Sequence, residues 1–440
     1  MSSGQIFKIT PGGKLCGETR IASDKSISHR SIIFGSLAEG TTHVEGFLEA
    51  EDTLATLNAF RSLGVSIDHL GEGRVDIHGV GLHGLKPASE SLDLGNSGTS
   101  MRLMCGLLAA QKFDSVLTGD VSLNQRPMLR VTKPLAEMGA HIQTTNNGTA
   151  PLIIKGNPEL RGIHYPMQIA SAQVKSCLLL AGMYANGTTS ITEPAPTRDH
   201  TERMLEGFGY PIQRKDSTVS ITGQQGTLNS ISIDVPGDIS SATFFLVGAA
   251  ISPDSDVLLK HVGINPTRTG IIDILRLMGA EIELQNQRQI GGELVADIHL
   301  RYAPLTGIEI PESLVPLAID EFPAVFVAAA CAQGETVLTG ASELRVKESD
   351  RIQVMADGLL KLGIDAEPTK DGMRIVGGQL TGGVVDSHGD HRIAMAFAIS
   401  GLRATSAIEI IRCENVQTSF PDFADIARRL GLNIQTISES

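Results

Sequence analysis

Six times along this chain a small, polar or charged turn runs into an apolar helix, and a second, amphipathic helix further on stops at a glycine. The openings are Ser23-Asp24-Lys25-Ser26, Gly95-Asn96-Ser97-Gly98-Thr99, Ala170-Ser171-Ala172, Gly237-Asp238-Ile239-Ser240-Ser241, Asp320-Glu321-Phe322-Pro323 and Gly389-Asp390-His391-Arg392. The stops are Gly64, Gly139, Gly209, Gly279, Gly363 and Gly431, spaced by 68 to 84 residues. Such a period marks a repeated supersecondary unit that cannot bury its core alone.

The first unit shows the order: an apolar helix over 26–38, a strand over 41–45, an amphipathic helix over 51–63, then strands over 65–69 and 74–78. The second unit repeats it, with Asn146-Asn147-Gly148 as the hairpin turn. Met101 to Ala110, Val174 to Ala185, Phe244 to Ile251 and Val325 to Ala332 are apolar nearly all round, so these first helices belong inside. The second helices, such as Arg268 to Met278, carry charge on one face and belong at the surface. Each domain therefore reads as central helices wrapped by sheets. The sixth unit lacks a last strand, and the strand-like stretch 6–10 is expected to supply it. The chain would then begin in one domain, cross near 21–24 and return near 234–238, giving domains of 24–235 and of 1–23 with 236–440. Two thin crossings make a hinge that favours closure on a ligand.

A length of 440 residues exceeds what one core usually holds, and 41% hydrophobic residues suffice for two. Aromatics are 4%, there is no Trp, and the net charge is −13. This balance argues against nucleic-acid binding, which calls for a basic face and stacking rings. Five scattered cysteines without C-x-x-C spacing read as reduced thiols in the cytoplasm. Met1 to Lys14 has no signal-peptide or transit-peptide pattern, and no apolar run reaches bilayer length, so no membrane role is expected.

Helix N-termini carry unsatisfied N–H groups and a partial positive charge, so openings of small residues suit anions. Each opening alone is as well explained by ordinary capping. Asp24 to Arg30 says more, because Arg30 is surrounded by Ile27, Ile32, Ile33 and Phe34, and a cation there wants an anion. Arg345 to Arg351 packs five charges into seven residues. It reads either as an exposed helix start with internal pairs, or as an acid or base, Glu348, beside cations. Asp320-Glu321 is either a cap or a carboxylate at a cleft. His388 and His391 have no further ligand at metal spacing, so no metal is expected.

Seven motifs carry a resemblance: Asp24 to Arg30, Leu94 to Arg102, Gln125 to Met128, Ser171 to Lys175, Arg345 to Arg351, Asp390 to Arg392 and Ser419 to Asp422. Together they resemble, over essentially the full length, the enolpyruvyl transferase family, and within it the branch acting on shikimate 3-phosphate. Arg198 to Glu202 and Asn265 to Arg268 are similar to the subgroup often called class II. The resemblance implies a two-domain inside-out α/β barrel of six βαβαββ repeats, three per domain. It implies transfer of the enolpyruvyl group of phosphoenolpyruvate to the 5-hydroxyl of shikimate 3-phosphate, releasing phosphate, with no cofactor, in a cytoplasmic monomer.

Carried over by motif, Lys25, Ser26 and Arg30 are expected to touch shikimate 3-phosphate. Ser171, Ala172 and Gln173 are expected to hold its phosphate and ring, with Arg198 nearby and Asp320 and Lys347 facing its hydroxyls. Phosphoenolpyruvate is expected against Lys25, Asn96, Gly98, Arg126, Gln173, Arg351 and Arg392. Glu348 is assigned as the acid for the methylene carbon and Asp320 as the base for the hydroxyl, with Lys25 polarising the departing phosphate. Ser23 replaces the Gly usual in class II, and Thr418 stands where another branch has a phosphate-binding lysine. Glyphosate-tolerant class II members often have Ala at the place of Gly98, so class II likeness does not imply tolerance. The sister enzyme using UDP-N-acetylglucosamine typically has Lys-Asn where Lys25-Ser26 stand, and a loop cysteine absent from 119–125. A repeat scaffold binding RNA or protein is the remaining alternative, and it has no use for cations at apolar helix starts.

Overall fold

The structure is a computed structural model and describes residues 4–290 and 292–438. It contains two compact units: a first lobe of Ser23–Val235 with Gln289–Glu293, and a second lobe of the described residues up to Ala22, Pro236–Arg288 and those from Leu294 onward.

The first lobe holds helices α1 (Lys25–Leu37), α2 (Glu51–Ser62), α3 (Gly98–Ala109), α4 (Leu129–Glu137), α5 (Ala172–Gly182) and α6 (His200–Gly207). α1, α3 and α5 are the apolar ones. Each starts at a side-chain cap: Asp24 accepts from the Ile27 amide at 2.9 Å, Ser97 from Ser100 at 3.2 Å and Ser171 from Val174 at 3.4 Å. α3 and α5 pack backbone to backbone, since a Cβ on Gly106 would lie 2.0 Å from the Cys177 carbonyl oxygen. That approach brings their N-terminal turns within side-chain reach of each other.

The second lobe holds α7 (Ile239–Ile251), α8 (Gly270–Leu277), α9 (Phe322–Cys331), α10 (Arg351–Lys361), α11 (His391–Ser400) and α12 (Phe423–Leu430). Every residue of α7 is buried, as a helix without a polar face requires. α12 instead buries only Phe423, Ile426, Ala427 and Leu430, one stripe at helical spacing. All six glycines after the second helices have positive φ, from 84° to 118°, the left-handed turn that lets the chain leave a helix sharply.

The repeat is βαβαββ, and the architecture is the inside-out α/β barrel of six such repeats. In the second repeat Leu92–Asp93 pairs parallel with Ser115–Thr118, which pairs antiparallel with Leu152–Lys155, which pairs antiparallel with His141–Gln143. The first and fourth repeats exchange their opening strands. Ser232–Asp234 pairs parallel with Ala38–Glu45 in the first lobe, and Cys16–Arg20 pairs parallel with Asp256–Gly263 in the second. Cys16–Arg20 was not legible as a strand, because it is a charged edge strand with no buried face. Gln5–Ile9 completes the sixth sheet between Ile408–Ile411 and Ile434–Ser438, as expected from the missing last strand. Each lobe has its own aliphatic core.

Candidate active site

In the first lobe, polar side chains close a triangle between the starts of α1, α3 and α5. His29 of α1 reaches Ser100 of α3 at 3.2 Å and Thr56 of α2 at 2.8 Å. Arg102 of α3 donates to Gln173 Oε1 of α5 at 2.6 Å, and Gln173 returns a 3.1 Å bond to Thr99. Arg30 of α1 donates from Nη2 to Ser176 of α5 at 2.9 Å, from Nε to Thr201 of α6 at 2.7 Å and from Nη1 to the Ser26 carbonyl at 3.0 Å. Three helix N-termini are thus tied at one level.

Lys25 occupies the first turn of α1, one-quarter exposed, and its ammonium pairs with Asp52 of α2. Asn96 orients Arg126 by accepting its Nη2 at 2.5 Å, and Asn96 is itself held by Asp120 at 2.7 Å. Gly98 opens α3 between two guanidiniums: a Cβ there would lie 3.0 Å from Nη1 of both Arg102 and Arg126. Ser171 caps α5, with Ala172 and Gln173 in its first turn. Arg198 lies in the segment before α6, close enough to Arg30 to disfavour its charge.

In the second lobe, Arg351 opens α10 and joins three carboxylates from separate segments. It donates from Nε to Asp390 at 2.8 Å, from Nη1 to Asp320 at 3.2 Å and from Nη2 to Glu348 at 2.6 Å. Asp390 also caps α11, accepting from the Arg392 amide at 3.0 Å. Arg392 donates to the Asp320 carbonyl at 3.2 Å, and Lys347 lies 3.4 Å from Asp320 and 2.9 Å from Glu343. Glu348 is exposed, while Asp320 is largely covered. The charge run over 345–351 is therefore not one exposed helix start. Ser342–Val346 forms a 3-10 turn, and the helix begins at Arg351.

The two arginines at the centres of these clusters differ in electrostatics. Arg30 is buried among hydroxyls and a carbonyl, and burial lowers it to about 10 despite the more distant charges of Glu202 and Asp24. Burial also acts against Arg351, but Asp390, Glu348 and Asp320 outweigh it and hold the guanidinium well above its ordinary value. His29 is held well below its ordinary value by burial, then by Lys25 and Arg30, so its ring is neutral. The first-lobe guanidinium is thus surrounded by neutral acceptors and the second-lobe one by carboxylates.

Sequence reasoning gave no role to Arg102, His29, Asp52 or Arg268. Arg102 stood inside a quoted motif, and a charged residue four positions after Gly98 in an apolar helix was the available signal. Arg268 is buried and donates to Asp238 at 2.8 Å and Ser240 at 2.6 Å at the start of α7. Thr418 is buried, its hydroxyl donating to the Asn415 carbonyl at 2.7 Å, so it turns into its own 3-10 turn. Among the described residues no group of three or more His, Cys, Asp or Glu could hold a metal ion, and no helix is long and apolar enough to cross a membrane.

Helices that open onto arginines, lysines and paired carboxylates, in a six-fold βαβαββ frame, define a class of enzyme built for small polyanions. The family model for EPSP synthase (3-phosphoshikimate 1-carboxyvinyltransferase) matches residues 9–426, and the chain belongs to that family. A 3-phosphoshikimate 1-carboxyvinyltransferase of Methylococcus capsulatus is 66% identical over 430 residues, covering 98% of each chain. One of Alkalilimnicola ehrlichii is 62% identical, covering 97% of this chain and 96% of that one. A solved EPSP synthase of Acinetobacter baumannii superposes with a TM-score of 0.91 at 58% identity, over 99% of this chain and 100% of that one.

Proposed function

We propose that the two clusters act on one substrate pair in the reaction of this family. That reaction, a step of the shikimate pathway towards aromatic amino acids, moves the enolpyruvyl group of phosphoenolpyruvate to the 5-hydroxyl of shikimate 3-phosphate and releases phosphate. The observation that carries the residue assignment is Arg30. A guanidinium buried among neutral acceptors is a site of unmet positive charge, and a dianionic phosphate meets it.

In this reading Ser26, Arg30, Ser171, Ala172, Gln173 and Arg198 hold shikimate 3-phosphate, with Lys347 and Asp320 at its hydroxyls. Lys25, Asn96, Gly98, Arg126, Arg351 and Arg392 hold phosphoenolpyruvate, with Gln173 shared. Glu348 gives its proton to the methylene carbon, making a methyl group and a cationic carbon. The 5-hydroxyl oxygen attacks that carbon while Asp320 takes the hydroxyl proton, leaving a tetrahedral intermediate. The C–O bond to phosphate then breaks, with Lys25 stabilising the leaving oxygen and the proton on Asp320 passing to the departing phosphate, and the methyl returns a proton to Glu348. The cations are fixed before reaction by the bonds described above, so they stabilise charge without reorganising. The same reading gives a cytoplasmic monomer without a cofactor.

The test is phosphate release with both substrates present. Turnover is expected with shikimate 3-phosphate and phosphoenolpyruvate together, and none when UDP-N-acetylglucosamine replaces the former. The opposite preference would transfer the chain to the sister activity.

A further inference from the structure

Lys175 projects from α5 and is only 1% exposed. Its ammonium donates to Glu193 Oε2 at 3.0 Å and pairs with Glu202 Oε1 at 2.7 Å. Glu193 directly follows the strand Thr188–Thr192, and Glu202 lies in the first turn of α6. Residues 193–199 between them form neither helix nor strand. One ammonium therefore fastens both ends of an irregular segment. Thr197 fastens its middle, donating its hydroxyl to Glu193 Oε1. Arg198 is the next residue.

We propose that Lys175, Glu193, Glu202 and Thr197 form a positioning set that fixes Arg198 for the phosphate of shikimate 3-phosphate. The inference rests on reading Arg198 as a contact of that phosphate. Two features separate this set from plain core packing. Burying one ammonium with two carboxylates is costly where an aliphatic side chain, like the buried Leu178, Leu179 and Leu180 of the same helix, would fill the space. The set is also one negative charge in excess, and among the described residues Glu202 Oε2 has no hydrogen-bond partner. Glu202 is the largest favourable charge acting on Arg30. The excess thus partly balances Arg30.

The test compares Thr197→Val, Thr197→Ser, Lys175→Met and Arg198→Ala in the full chain, by calorimetric titration with shikimate 3-phosphate and by steady-state kinetics. Thr197→Val is expected to raise the Kd for shikimate 3-phosphate on the order of tenfold, as removal of one member of a coupled polar network does. Thr197→Ser keeps the hydroxyl and is expected to restore binding. The KM for phosphoenolpyruvate is expected to stay within about twofold, since Arg126 is held independently by Asn96. If Lys175→Met fails to fold, Thr197→Val decides. Should Arg198→Ala weaken binding while Thr197→Val does not, the positioning role is overturned and the phosphate contact stands. Should Arg198→Ala itself have no effect, the phosphate contact fails first. Equal loss for both substrates in Thr197→Val would show general loosening and overturn the proposal.

Discussion

Nε of Arg351 donates to Oδ2 of Asp390 at 2.8 Å, and both side chains are out of water. Asp390 caps α11 while Arg351 begins α10, so this one bond joins two helix starts. Replacing Arg351 by Ala leaves Asp390 as a buried carboxylate without its cation, a change that costs about 3–5 kcal/mol. Chemical denaturation of Arg351→Ala is expected to show a loss of this size. A loss under about 1 kcal/mol would mean the pair is solvated.

Gly98 is the second point of leverage. A methyl group there meets Nη1 of both Arg102 and Arg126 at 3.0 Å, so both guanidiniums must shift by a few tenths of an ångström. These are the flexible ends of side chains, and stability is expected to change little. Gly98→Ala is expected to raise the KM for phosphoenolpyruvate on the order of tenfold and to weaken inhibition by glyphosate. Unaltered kinetics for both ligands would place the ligand away from α3.

His29 makes a prediction for pH. Its folded imidazole stays neutral well below 6.5, whereas in the unfolded chain it takes up a proton as pH falls through about 6.5. The unfolded state then binds more protons, so the stability is complete above 6.5 and declines below it. The slope is roughly 1 kcal/mol per pH unit from this residue alone. Thermal midpoints of the parent and His29→Gln across pH 7 to 5 are expected to converge as pH falls. Parallel curves would show that His29 is not the group responsible.

The helix openings were legible because capping side chains and terminal glycines are local signals: Asp24, Ser97 and Ser171 all cap as their motifs suggest. Gln5–Ile9 was legible because the sixth repeat was one strand short. The exchange of opening strands was not, since Cys16–Arg20 is charged and gives no alternation. Arg351 was quoted among a run of charges, but its burial depends on Asp320 and Asp390, 31 and 39 residues away. His29 and Lys175 were hidden for the same reason. Inside a helix that is apolar all round, the partner of a polar residue comes from another element of the fold.

The central claim is that cations of the first lobe and carboxyls of the second serve one reaction. It is tested most directly by phosphate release with both substrates in Lys25→Ala and Glu348→Gln, one change in each lobe, with folding checked by circular dichroism. Each change alone is predicted to lower turnover by at least about 100-fold. Parent-like rates in both folded variants would contradict the account.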